Sequence, residues 1–338
     1  MNLLTDRVNF EITRQKPISL ELLVVRDITE YFSRQRHYDP QKGTTATVLI
    51  KNTNSLTLGP VPNVPQDVIT YGYYGIAADD RGHIWFSSNW DPGIYEVDKN
   101  FTFVNRYPSG PISNFREIQF HDEKAYILDE GLPNKGALHI FSYPEFHHEK
   151  TIPLDIPPSH IPTHLCFIGN KIVIGSPPSS NSGWSEEYYI TTIGQGISRQ
   201  TKMWGLVSLF EHNDTLYGYT DVRGEKGEKN PYGRQYILSF NDALISQDPV
   251  PLISPMFTRV SDEPFVDNRG TLFRREITEN FIPSFAFFDL SGRLLQTEKT
   301  PFNFADLCFD KENVLTAVIN YKEHLLGVRY RIHYNQDS

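Results

Sequence analysis

Six times along the chain, an apolar strand-like run is followed by a short polar turn and then a second apolar run. The units are GIAADDRGHIWFSS from 75, EIQFHDEKAYILDE from 117, HLCFIGNKIVIGS from 164, SLFEHNDTLYGYTD from 208, FVDNRGTLFRRE from 265 and DLCFDKENVLTAVIN from 306. Their turns fall near Gly82, Glu123, Asn170, Asp214, Gly270 and Glu312, a period in the forties with one longer step. A second anchor keeps step with the first: two apolar residues three apart, then usually a turn former. It reads Ile94, Val97, Asp98; Leu138, Phe141, Ser142; Ile190, Ile193, Gly194; Ile237, Phe240, Asn241; and Phe285, Phe288, Asp289, with a fainter trace at Leu325 and Val328. The tripeptide LCF recurs at 165 and 307, in the same register three repeats apart.

Alternation of period two marks half-buried strands, and each repeat has room for four of them between Gly, Asn, Asp and Pro turns. A repeat of this length with four strands predicts an all-β fold, a β-propeller of six four-stranded blades. The acidic turn Asp79-Asp80-Arg81-Gly82 then falls between two strands. Asp accepts turn geometry and bonds its own backbone, so a plain hairpin turn is predicted here. The competing metal loop lacks the alternating acids and distant Glu that a calcium loop requires.

The last repeat ends after its third strand, HLLGVRYRIHY, so an N-terminal strand is expected to supply the missing outer strand and close the ring. TTATVLIKN at 44–52 alternates suitably for that task. This divides the chain into an N-terminal arm, 1–43, and a propeller domain, 44–338. The arm reads as a partial blade or as an extension with a short helix starting near Asp27.

Composition narrows the picture. The 338 residues are 39% hydrophobic, 13% aromatic and 22% charged, with a net charge of -9. That is globular and strand-leaning, and the charge disfavours nucleic acid as a partner. No run approaches ~18 consecutive apolar residues, and the start, MNLLTDRVNFEITRQK, lacks a signal-peptide core. The two cysteines, Cys166 and Cys308, sit in apolar settings that suit small thiols in a reducing compartment, so a cytoplasmic protein without membrane association is expected.

Function is expected on the long loops between second and third strands, which include SSNWDPG, SPPSSNSGWSEE and TDVRGEKGEKNPYGR. Trp90, Trp184, Tyr188, Tyr189, Tyr232 and Phe281 give these loops aromatic surface. Trp90, Trp184, Tyr232 and Arg223 are the candidate contacts for a peptide, protein or small ligand. The same aromatics could instead pack the loops onto the blades.

Aligned second strands place Asn89, Asp129, Ser176, Asp221, Glu276 and Asn320 at nearly one step. Oxygen ligands converging from several blades suit a hard cation such as calcium, so Asn89, Asp129, Asp221, Glu276 and Asn320 are candidate metal ligands. A solvated acidic rim is the plainer reading. His164 opens the third repeat and is the candidate general base, its imidazole titrating close to neutrality. His147-His148 cannot chelate together, because neighbours on a strand point to opposite faces. No nucleophile elbow, zinc-protease pair, phosphate loop or cysteine metal cluster is present.

IAADDRGHIWFSSNWDPGIYEVDKNFTFVNRY resembles a blade of the NHL, SMP-30/gluconolactonase and streptogramin B lyase group of propellers, where an Asp-x-x-Gly turn precedes an "IWF" strand. The resemblance covers residues 75–107; the other repeats keep the pattern without the words. It implies the propeller fold and, for SMP-30-type relatives, a calcium-assisted hydrolase or lactonase. Two functions follow: a recognition module using the loop face, and a metal-assisted hydrolase or lyase with Asp129, Asp221 or Glu276 on the ion and His164 moving a proton.

Overall fold

The computed structural model describes residues 16–28, 34–36, 69–71, 74–88, 93–131, 136–178, 187–194, 197–204, 206–222, 234–241, 244–245, 247–253, 259–260, 264–277, 283–299, 304–321 and 324–335. Among the described residues there is no helix; a two-stranded ribbon pairs Arg34–Arg36 with Ile69–Tyr71, and six larger sheets follow one another along the chain. Blade I is built from Tyr74–Ala78, Ile84–Ser88, Gly93–Val97 and Phe103–Pro108. Blade II comprises Phe115–His121, Lys124–Asp129, Ala137–Ser142 and His148–Pro153, and blade III His164–Ile168, Lys171–Ser176, Glu187–Gly194 and Ile197–Trp204. Blade IV comprises Leu206–His212, Thr215–Val222, Arg234–Ser239 and Val250–Pro251.

Blade V begins with a strand in two pieces, Arg259–Val260 and Phe265–Val266, both paired with Leu272–Ile277; Pro283–Phe288 and Leu294–Lys299 complete it. Blade VI takes Phe304–Phe309, Val314–Tyr321 and His324–Tyr334 from the C-terminal side, and Ile18–Asp27 as its outer strand. Blades I to V are chain-ordered meanders, and the six together are the blades the repeat predicts.

The outer strand of blade VI is an N-terminal strand, as expected, but a different one. It lies at Ile18–Asp27 rather than at 44–52, which is outside the described residues. The reason is visible in its burial. Ile18, Ser19 and Leu20 are buried while residues 21–26 are all half-buried, so the run LELLVV lacks the clean one-face alternation by which a strand is recognised. Glu21 holds it in register by accepting from His333 Nε2 at 2.8 Å and Arg331 Nη1 at 3.2 Å.

The chain packs as two compact units. The smaller contains blades I and VI; the larger contains blades II to V with residues 15–18. In the smaller unit Ile84, Phe86, Tyr95, Val97, Phe101 and Val318 share one apolar cluster. In the larger, separate clusters fill the successive interblade layers; Phe210, Tyr219, Ile237, Leu272, Ala286 and Phe288 form the one between blades IV and V.

Five of the tight turns share one chemistry. Asp79 Oδ1 accepts from the backbone N–H of Arg81 and of His83, both at 2.9 Å, and the chain closes with Gly82 at φ +76°. Asp98, Asp267, Asp289 and Asp310 repeat this bond to the second and fourth residues ahead. The acidic tract at 79–82 is thus a hairpin turn. A carboxylate that accepts two local N–H groups fixes the reversal and leaves those donors satisfied.

Candidate functional site at the loop ends of blades II to V

Each blade has a turn end, where first and second strands join tightly, and a loop end, where second and third strands are joined by longer segments. The residues the sequence singles out belong to the loop ends. Asp129 and Ser176 are the last residues of their second strands, and Asp221, Glu276 and Asn320 are next to last in theirs. Register pairs Asp221 with Gln235, Glu276 with Ser284 and Asn320 with Leu325. Their side chains, and all of Asn89, Trp90, Trp184, Arg223, Tyr232 and Phe281, lie outside the described residues.

Asp129 is 3% exposed and its carboxylate is committed. Oδ1 accepts from the backbone N–H of Asn114 and Gly131, both at 2.9 Å; Oδ2 accepts from Ser113 N–H at 2.8 Å and lies 3.3 Å from His139 Nε2. The Ser113 hydroxyl is 3.0 Å from both oxygens. Burial pushes this carboxyl up, but His139 and the three N–H donors outweigh it and hold it below the usual carboxylate range. The arrangement fastens the segment leading into blade II to the end of its second strand.

The neighbouring residue behaves oppositely, and the sequence reading missed it. Glu130 receives Arg116 Nη1 on Oε1 at 2.6 Å and Asn114 Nδ2 on Oε2 at 2.8 Å. Burial pushes its carboxyl above the usual range; Arg116 opposes this and Asp129 adds to it. Arg116 is itself only 3% exposed. A buried carboxyl shifted upward beside a specific charge partner is the pattern that functional sites show. The sequence signal was the adjacent pair Asp129-Glu130, and alignment alone could not say which of the two oxygens sets was spent on the backbone.

His164 begins the first strand of blade III and is buried. Its Nδ1 lies 2.7 Å from Thr163 Oγ1 and 2.9 Å from Tyr188 Oη. Gly175 makes this possible, because a Cβ there would stand 2.0 Å from the Tyr188 oxygen. Two hydroxyls on one nitrogen fix the ring plane. Tyr188 and Tyr189, expected on the loop surface, are buried, and Tyr189 packs edge-on against His160 at 4.5 Å. Neither Cys166 nor Cys308 is in a disulfide.

Between blades IV and V the alternation can be followed past the apolar cluster. Two residues beyond its members, on the same faces, come Ser208, Gln235, Arg274 and Ser284, none more than 5% exposed. Arg274 Nη1 meets Gln235 Oε1, and its guanidinium stacks over Phe288 at 4.5 Å. Polar groups therefore cap this seam at its loop end. Ser176 Oγ, Ser208 Oγ, Thr220 Oγ1, Gln235 Nε2 and Ser284 Oγ are all buried without a hydrogen-bond partner among the described residues. Each sits within the last or first few residues of its strand at the loop end.

Solved structures resolve the architecture. A luciferin-regenerating enzyme matches with a TM-score of 0.55 at 11% identity, over 92% of this chain and 95% of its own. The calcium-binding protein regucalcin of Agrobacterium tumefaciens matches at 0.53 and 13%, over 77% and 90%, and a gluconolactonase candidate at 0.53 and 12%, over 79% and 91%. The chain has the six-bladed β-propeller fold. At such identities the likeness carries the fold alone. No family model matches the chain, and no curated protein matches it. No described helix is long and apolar enough to cross a membrane.

Proposed function

We propose that this propeller is a recognition module that binds a small polar ligand at the loop ends of blades II to V. The supporting observation is the set of five buried, unpartnered polar atoms at that end. Leaving a buried donor or acceptor unmade costs about 1–3 kcal/mol each, so such groups call for a ligand or ordered water to satisfy them. The turn end of blade V offers the contrast, since Asp267 and Asp289 are spent on backbone N–H groups. Trp90, Trp184, Arg223 and Tyr232 belong by sequence to loops leaving the same end, and are assigned to contacts with the ligand or with a peptide or protein carrying it. Thiols outside disulfides suit the cytoplasm.

The calcium-assisted hydrolase reading draws on the names of regucalcin and the gluconolactonase candidate. Asp129 does not fit it, because both its oxygens are spent on backbone N–H groups. Hydrolysis has one observation in its favour, the gripped Nδ1 of His164, which turns Nε2 away from the two hydroxyls as a general base requires.

A thermal-shift screen of small polar compounds tests the proposal. A ligand at a hundred times its Kd stabilises the native state by about 2.7 kcal/mol, and Ser208→Ala or Ser284→Ala is expected to weaken the hit without unfolding the protein. Hits that both variants leave unchanged would sink the assignment. Turnover of a hit ester or lactone that His164→Gln abolishes would establish the hydrolase instead.

A further inference from the structure

The two outer strands of blade II carry a cluster of side chains that the loop-end reading leaves unused. His139 on the third strand and Thr151 on the outer strand stand opposite each other in register. His139 Nδ1 lies 3.0 Å from Thr151 Oγ1, and His148 Nε2 lies 3.0 Å from that same oxygen. The two imidazole rings are 5.8 Å apart between centres.

A bulge brings the second histidine in. Residues 148 and 151 are three apart, and in a regular strand they point to opposite faces. Here the ladder pairs Ile140 with Lys150 but Phe141 with His148, so Glu149 is an extra residue in the outer strand. It returns His148 to the face that holds Thr151 and His139, and bulges that re-aim a side chain in this way are a recurring feature beside functional sites. Phe141 meets the His148 ring edge-on at 5.2 Å and is itself stacked on Phe146 at 4.7 Å.

His139 is held from behind. It is 3% exposed, and its other nitrogen, Nε2, lies 3.3 Å from Asp129 Oδ2. That carboxyl is held below the usual range and is ionised at neutral pH, so it can only accept, and Nε2 carries the proton. In the neutral ring the lone pair is then on Nδ1, the atom that meets the Thr151 hydroxyl. Thr151 and His148 are both exposed. A threonine hydroxyl has one proton to give, so when His139 receives it, His148 donates its own N–H to Oγ1.

A histidine that donates one N–H to a carboxylate and offers its second nitrogen to a shared point is arranged as metal-ligating histidines are. The spacing agrees. Ligand atoms about 2.0–2.1 Å from a tetrahedral zinc ion lie roughly 3.3 Å from one another. Two edges of the triangle His139 Nδ1, Thr151 Oγ1, His148 Nε2 are 3.0 Å, so only the edge between the two nitrogens has to adjust.

We propose that His139 and His148 form a site for a divalent ion of the zinc class on the outer face of blade II, with the Thr151 hydroxyl as third ligand and water completing the shell. Imidazole nitrogens suit such ions. His148 frees Nε2 by carrying its proton on Nδ1 instead. Asp129 is a positioning residue, acting on the ion through His139.

The test uses the full-length protein, stripped with a chelator and titrated with Zn²⁺ while imidazole ¹⁵N shifts are followed. His139 Nδ1 and His148 Nε2 are expected to move together and saturate at one Zn²⁺ concentration. His148→Ala removes an exposed side chain, so circular dichroism is expected to be unchanged while the His139 shift no longer responds. His147→Ala, which removes the neighbouring exposed histidine, is expected to leave both responses as they are. Asp129→Asn is expected to weaken Zn²⁺ about tenfold or more. Histidine shifts that fail to respond in the wild type, a His139 response that persists in His148→Ala, or one lost in His147→Ala overturns the site; unchanged affinity in Asp129→Asn overturns the role given to Asp129.

Discussion

The carboxylate of Glu117, on the first strand of blade II, accepts the backbone N–H of Leu165, on the first strand of blade III, at 2.9 Å. Gln119, two residues on, donates to the Leu165 carbonyl, and His121, two further, stacks on Phe167 at 4.4 Å. First strands of neighbouring blades do not pair with each other, so their facing backbone groups need other partners. Alternate residues of one strand provide them.

Glu117→Ala is therefore expected to destabilise the protein by about 1–3 kcal/mol, because it leaves the Leu165 N–H buried and unpaired. Urea unfolding measures this. A loss below a few tenths would show that solvent reaches the Leu165 N–H and that the bond is dispensable.

Asp129 gives the molecule an acid limit. Its carboxyl is lowered from the ordinary 3.8, so its contribution is fully present above that value and is lost as pH falls through the lower folded-state value. Asp129→Asn is expected to cost about 1–3 kcal/mol at neutral pH and to flatten the acid limb of the stability profile. An unchanged acid limb in the variant would contradict the assignment of Asp129 as the clamp.

Glu130 works in the opposite sense. Raised above the ordinary 4.5, it contributes stability that is present below that value and is lost as pH rises through the folded-state value. Stability measured from pH 4 upward, about the unfolded value, is expected to fall with pH in the wild type and to lose this component in Glu130→Gln. Equal slopes in the two proteins would remove Glu130 from the account.

Gly175→Ala places a methyl group where the Tyr188 hydroxyl stands, 2.0 Å from its oxygen. Overpacking of this kind costs about 1–3 kcal/mol, and the Tyr188 contact to His164 is lost with it. Imidazole ¹⁵N shifts of His164 in Gly175→Ala and Tyr188→Phe are expected to move alike. Shifts that move only in the glycine variant would mean that Thr163 alone orients the ring.

Much of this was legible in the sequence. The six turns and the second anchors gave the blades, because Asp-x-x-Gly reversals and period-two runs are local properties of the backbone. The closing strand was not, since Ile18–Asp27 is half-covered along much of its length and carries no clean alternation. At the site, alignment located the loop-end position of Asp129 but not its role; which carboxylate caps N–H groups and which meets Arg116 depends on the path of residues 112–116. The Arg81–Glu96 ion pair was likewise unreadable, because it joins a turn to a third strand that only the folded sheet brings together.

Hydrogen–deuterium exchange with and without the strongest thermal-shift hit tests the central claim most directly. The account expects slowed exchange confined to the loop ends of blades II to V, around Asn114–Arg116, Glu130, Thr163–His164, Ser208, Gln235 and Ser284. Protection at the turn ends instead, or none at the loop ends with a saturating ligand, would contradict it.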